Sequence, residues 1–204
     1  NLQGDMSGIA LAGYQGGSLL IDPSNILVNS AATPGLAGGP TFSALAGSGT
    51  LIINAPAFKT FANTNFANGT VKLNALSDIT IAADIGTAAA RLNENLILTA
   101  GDDININASI FLKTDKALTL SAGAVTGTIN IAPPALAPIT LDVGSLVMTA
   151  GNEINIGNST MDAALNIKAA TNITATAGTG FDLVFIRSGN INASNGDNLD
   201  TTVN

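Results

Sequence analysis

Two adjacent carboxylates, Asp102 and Asp103, are the residues of this chain whose type and spacing come nearest to chemistry. Together with Asp115 or Asn107 they offer oxygen ligands of the kind that hold Ca²⁺. They are weak candidates, because Gly101-Asp102-Asp103 is equally the composition of a solvated corner, and that reading is favoured. The Gly-Gly-x-Gly-x-Asp nonapeptide of calcium-binding repeats is absent. Acid–base catalysis needs paired carboxylates. Asp84 with Asp103, or Asp142 with Asp162, are the pairs that could approach, yet the aspartates fall mostly in expected turns. The chain has no Cys and no His, which removes Cys/His zinc sites and Cys or His nucleophile–base pairs. No catalytic residue and no cofactor is expected, and the chain reads as not an enzyme.

The composition narrows the remaining classes. Of 204 residues only 10% are charged, where ordinary domains carry about 25%. Aromatics are 4% and Trp is absent, while Asn, Thr, Gly and Ser supply the polar groups. The net charge is −7, and the cations Lys59, Lys72, Arg91, Lys113, Lys116, Lys168 and Arg187 are scattered. Without a basic patch, nucleic acid is not an expected partner. Anionic membranes repel such a chain, and no apolar run of about 20 residues exists to insert. The chain begins at Asn1 without a leader pattern, so a segment of a longer protein or a processed product is expected.

The elements that position these residues come from a repeat. Apolar residues recur at positions 1, 3, 5, 9 and 11, with a turn between 5 and 9. Val71, Leu73, Ala75, Ile79 and Ile81 fit, as do Leu96, Leu98, Ala100, Ile104 and Ile106, and Leu146, Met148, Ala150, Ile154 and Ile156. Leu165, Ile167, Ala169, Ile173 and Ala175 fit again. Leu183, Phe185, Ile191 and Ala193 keep the spacing, with Arg187 breaking position 5. Leu118, Leu120 and Ala122 match, but Ile129 and Ile131 come late, after an insertion at 125–128. Leu19, Ile21, Ile26 and Val28 form a shortened copy, and Leu51, Ile53 and Ala55 begin one that Pro56 and Lys59 spoil. Alternation places each set on one strand face, and Gly, Asn and Asp form the corners.

One copy buries too little to offset the entropy of ordering it, so copies must stack. The expected fold is all-β: a right-handed parallel β-helix of about eight coils with irregular loops, roughly 40 Å long. An antiparallel sandwich is the alternative, disfavoured because the same apolar register keeps returning. The expected structural core is Leu73, Ile79, Ile81, Leu98, Ile104, Ile106, Leu120, Met148, Ile154, Ile156, Ile167 and Ile173. The whole chain, 1–204, is read as a single β-helix segment. Residues 1–30 form the first coils, 31–50 an extra-helical loop, 51–193 the regular coils, and 194–204 a tail or the start of the next coil.

Stacking also lines up polar residues. Asn25, Asp78, Asp103, Glu153, Asn172 and Asn190 precede second strands and form a ladder, read as corner caps. Arg187 falls at an inward position and marks a shifted register or a pairing with Asp182 or Asp200. Phe58, Phe61 and Phe66 are read as a cover for the coil. Residues 31–42 and 132–138, rich in Pro, Gly and Ala, read as loops leaving the shaft. Asn68, Asn107, Asn158, Asn172 and Asn192 head sequons, most of them accidental in an Asn/Thr-rich chain.

Two stretches resemble filamentous-haemagglutinin-like exoproteins of two-partner secretion. Leu19-Leu20-Ile21-Asp22-Pro23-Ser24-Asn25-Ile26-Leu27-Val28 is similar to a segment that follows the secretion domain in that family. The phrase Leu-Thr-Ala-Gly-x-x-Ile-x-Ile is matched at 98–106 and, with Met first, at 148–156. The family's own Asn-Pro-Asn-Gly secretion motif is not found. The resemblance implies a secreted protein at the bacterial cell surface, exported through an outer-membrane partner transporter. It implies a rigid shaft for adhesion to a host or matrix receptor, aggregation or biofilm. A self-assembling extracellular filament, with end-to-end self-association, is the alternative, and a polysaccharide-active β-helix enzyme is less favoured.

Overall fold

The computed structural model describes residues 18–30, 42–44, 49–132, 138–157, 165–183, 191–193 and 199–203. The alternating segments become strands that wind into three parallel sheets. The first contains β1 (Ser18–Ile21), β5 (Thr70–Ala75), β7 (Asn95–Ala100), β10 (Ala117–Ser121), β13 (Ser145–Ala150), β16 (Ile173–Ala177) and β19 (Leu199–Val203), in that order. The second runs β17 (Gly180–Leu183), β14 (Glu153–Ile156), β11 (Ile129–Ile131), β8 (Ile104–Ile106), β6 (Ile79–Ile81), β2 (Asn25–Asn29), β4 (Thr50–Asn54) and β3 (Phe42–Ala44). The third is β18 (Ile191–Ala193), β15 (Leu165–Ala169), β12 (Ile139–Val143) and β9 (Ile110–Phe111). Every pairing is parallel except β3 with β4. The chain is a right-handed parallel β-helix, the sense that strand–crossover–parallel strand connections take.

The register places like over like. Leu73 pairs with Leu98, Leu98 with Leu120, and Leu120 with Met148. In the second sheet Ile79, Ile104, Ile129 and Ile154 form one column, and Ile81, Ile106, Ile131 and Ile156 the next. All twelve expected core residues are at most 1% exposed. Leu19 pairs with Val71 and Ile26 with Ile79, so the shortened first copy is a true layer. The insertion before Ile129 bulges outward, leaving Val125 80% exposed, and the strand after it rejoins the column.

The winding has about five turns, fewer than the eight expected. The cause is the third sheet. A strand–corner–strand pattern arises at each corner of a three-sided coil, so the sequence pattern does not say which corner it marks. The copy at 165–175 spans β15 and β16, crossing from the third sheet to the first. The copy beginning at Leu183 starts on β17, in the second sheet. Counting different corners as separate coils inflates the total. The third sheet's own columns, Ile110 with Leu141 and Leu141 with Ile167, complete the core. The seven strands of the first sheet span about 29 Å at the usual strand spacing, shorter than the expected rod.

The copy beginning at Leu51 is also reassigned. Its strand, β4, extends the second sheet beneath β2 and then leads into an α-helix, α1 (Ala55–Asn65). Asn54 caps this helix by accepting from the Ala57 amide at 3.0 Å, and Pro56 occupies its first turn. Ala55, Phe58 and Ala62 face the core, as does Phe66 just beyond the helix. Phe61 packs partly buried against that core, 5.8 Å from the Phe66 ring. The helix follows β4, and its Asn63 bonds the backbone at Arg91 and Asn93, where the third side of the coil leads into β7. It thus covers the layer where no third-sheet strand has yet formed. Within 31–50, Phe42–Ala44 pairs with β4.

Candidate functional site

The corners between the first and second sheets position the predicted acidic residues. At three successive corners a side-chain oxygen accepts the backbone amide of the next turn up. Asn25 Oδ1 takes Asp78 N at 3.1 Å, Asp78 Oδ1 takes Asp103 N at 3.1 Å, and Asp103 Oδ1 takes Thr128 N at 2.8 Å. Asn172, also expected in this ladder, instead accepts from the neighbouring Thr171 hydroxyl at 3.1 Å, so the expected capping is made by Asn25, Asp78 and Asp103. It satisfies amides that the strands leave unpaired where the chain turns. At another corner Asp84 Oδ1 takes Ser109 N at 2.7 Å, and Ser109 Oγ takes Thr140 N at 3.1 Å. Asn95 Oδ1 takes Ala117 N at 2.9 Å.

Asp102 and Asp103 therefore have separate tasks. Asp102 stands exposed, with its Oδ1 3.5 Å from the Thr126 hydroxyl, while Asp103 holds the next turn. Asp115 is engaged with Lys116 at 3.0 Å, an ion pair that holds its carboxyl below the usual range. Among the described residues no group of three acidic side chains is placed to hold a metal ion. Asp84 and Asp103 are committed to amides at different corners. Asp162, Arg187, Asn190 and the sequons at Asn158 and Asn192 concern side chains outside the described residues. The Asn107 sequon has its hydroxyl on Ser109, which is 7% exposed and already bonded to the next turn. Asn68 and Asn172 are exposed.

Asp142 pairs with Arg91. The guanidinium donates to Asp142 Oδ2 at 2.6 Å and to the Leu112 carbonyl at 2.8 Å, tying three successive turns. The bond to Asp142 raises the pKa of Arg91, which stays charged throughout. On the second sheet's outer face, Asn155 donates to Asn130 at 3.1 Å and Asn130 to Asn105 at 3.0 Å, an amide ladder that the in-register columns create.

Two surface hollows bear on function. A groove of about 520 Å³ runs across four turns where the first sheet meets the second. It is lined by the hydroxyl column Thr99, Ser121, Thr149 and Thr176 and by small residues, and none of its lining side chains titrates. Its floor must be glycine at several rungs: a Cβ on Gly101 would overlap the Leu76 carbonyl, and one on Gly123 the Gly101 carbonyl. A smaller hollow of about 290 Å³ between α1 and residues 84–90 holds one acid, Asp84, and one base, Lys59.

Glu94 escaped the sequence reading. It is fully buried, and burial pushes its carboxyl up to about 7. The amide of Asn93 and the charges of Lys113 and Lys116 oppose that shift without overcoming it. The available signal was the inward phase of Leu92, Glu94 and Leu96, one residue outside the repeat template. No protein-family model, curated protein or solved structure matches the chain.

Proposed function

We propose that the chain is a non-catalytic structural and adhesive segment, a rigid shaft of a secreted bacterial surface protein that serves adhesion, aggregation or biofilm. One observation carries this reading most: polar side chains at several corners are spent on holding one turn to the next. Asp78, Asp103, Asp84, Asn95 and Asp142 all bond across turns, and the large groove offers hydroxyls and backbone but no acid or base. A solenoid built this way resists bending, because each turn is fastened by backbone ladders and by side-chain bonds. The resemblance of residues 19–28 to haemagglutinin-like exoproteins supports export through a partner transporter and recognition of a host or matrix receptor.

The test is paired. Beads coated with the chain are drawn over cultured cells and matrix proteins under flow, and the same preparation is incubated with acidic polysaccharides. Retention of coated beads, with no reducing sugar released, is expected. Turnover that scales with protein concentration, or no retention on any surface, overturns the proposal.

A further inference from the structure

Glu94 is the one side chain among the described residues that carries a buried oxygen, Oε1, with no hydrogen-bond partner. Its place follows from the backbone. Leu92, Glu94 and Leu96 alternate inward, so Glu94 takes a core position where the third side of the coil turns into β7. The pairing of Asn95 with Thr70 puts Gly69 beneath it, and that of Leu96 with Leu118 puts Lys116 above it. Lys116 is itself only 11% exposed and reaches sideways to the exposed Asp115.

The second oxygen, Oε2, accepts the Asn93 amide at 3.0 Å. The same amide also donates to Asn63 Oδ1 at 2.9 Å. Asn63 belongs to α1, and its side-chain nitrogen donates to the Arg91 carbonyl at 2.9 Å. Asn63 thus clamps the helix to the coil with two bonds, and Glu94 competes for one of them.

We infer that Glu94 is a proton-operated latch for the helical cover. When protonated, it leaves the Asn93 amide to Asn63 and α1 stays docked. When ionised, it draws that amide to itself and loosens the helix. A carboxylate accepts far more strongly than a neutral carboxyl, and a buried charge requires every donor within reach. Burial sets the exchange near neutral pH. The charged groups around Glu94 are Lys113 and Lys116 on the turn above. Asp115 holds Lys116, and Asp142 holds Arg91 on Glu94's own segment. The helix presents the uncharged Asn63, and Gly69 has no side chain.

The test is hydrogen–deuterium exchange of the whole chain at about pH 5.5 and about pH 8.5, normalised for intrinsic exchange. Amides of residues 58–66 are expected to lose about tenfold in protection at the higher pH. Glu94→Gln, which keeps the shape without the charge, is expected to abolish that loss. Asn63→Ala is expected to leave α1 poorly protected at both pH values. An equal pH response in wild type and Glu94→Gln, or none in wild type, overturns the latch. The chain has only two glutamates, Glu94 and Glu153, so carbon-13 spectra of labelled Glu carboxyls give two signals. One should titrate near 7; if both titrate in the ordinary carboxylate range, the latch is overturned.

Discussion

Single side chains in this molecule act mostly along the solenoid axis. Asp103 accepts the Thr128 amide, so Asp103→Ala strands a half-buried donor and should cost about 1–3 kcal/mol in chemical denaturation. Asp103→Asn keeps an acceptor and should recover most of that loss. Glu94 works in the opposite sense. Its carboxyl lies near 7 when folded and about 4.5 when unfolded, so folding favours the protonated form. The stability it contributes is fully present below about pH 4.5 and is lost as pH rises through about 7. Glu94→Gln should therefore stabilise the protein above pH 7, by up to about 3 kcal/mol, and change little at the acidic end. Urea melts of both proteins across that range check the sign, and a stabilisation that is equal at every pH would refute it.

Among the elements, α1 shows how a template can hide a signal. Asn54, Pro56 and the spacing of Phe58, Ala62 and Phe66 spell a capped amphipathic helix. A strand repeat beginning at Leu51 and Ile53 absorbs its first residues and leaves the rest as an irregular stretch. The cover role of the phenylalanines was legible because bulky aromatics stand out in an Ala/Ile/Leu/Val core. Phe58 is fully buried, so Phe58→Ala should cost about 3–5 kcal/mol and lower the helical signal in circular dichroism. A melt unchanged within error would show that the helix is not part of the folded core. The glycine corners are as strict. A Cβ on Gly151 would overlap the Gly123 carbonyl, so Gly151→Val should displace the corner and destabilise the protein by about 1–3 kcal/mol or more.

At the scale of the whole molecule, each turn is stable only through its neighbours. Leu98 stands between Leu73 and Leu120 in the first sheet's column and is fully buried. Leu98→Asp puts a carboxylate among stacked aliphatics and should unfold the middle turns, seen as lost exchange protection on both sides of β7. Protection lost at β7 alone would mean that the turns fold independently. The axial ties, Arg91 to Asp142 above all, should make unfolding a single cooperative event across them.

By itself the amino-acid sequence determined that the chain is a stacked, parallel, aliphatic-cored solenoid, which aliphatic side chains line its columns, and that Asn25, Asp78 and Asp103 cap corners. Two-residue alternation and recurring turn formers are local properties, and stacking follows because one turn cannot bury enough surface alone. Tertiary structure alone decided how many sides a turn has, and hence how many turns there are. A strand–corner–strand phrase reads the same at every corner, and only inter-turn pairing distinguishes them. Tertiary structure also decided the fate of Glu94. Its burial depends on Gly69 below and Lys116 above, residues brought together by register and not by sequence.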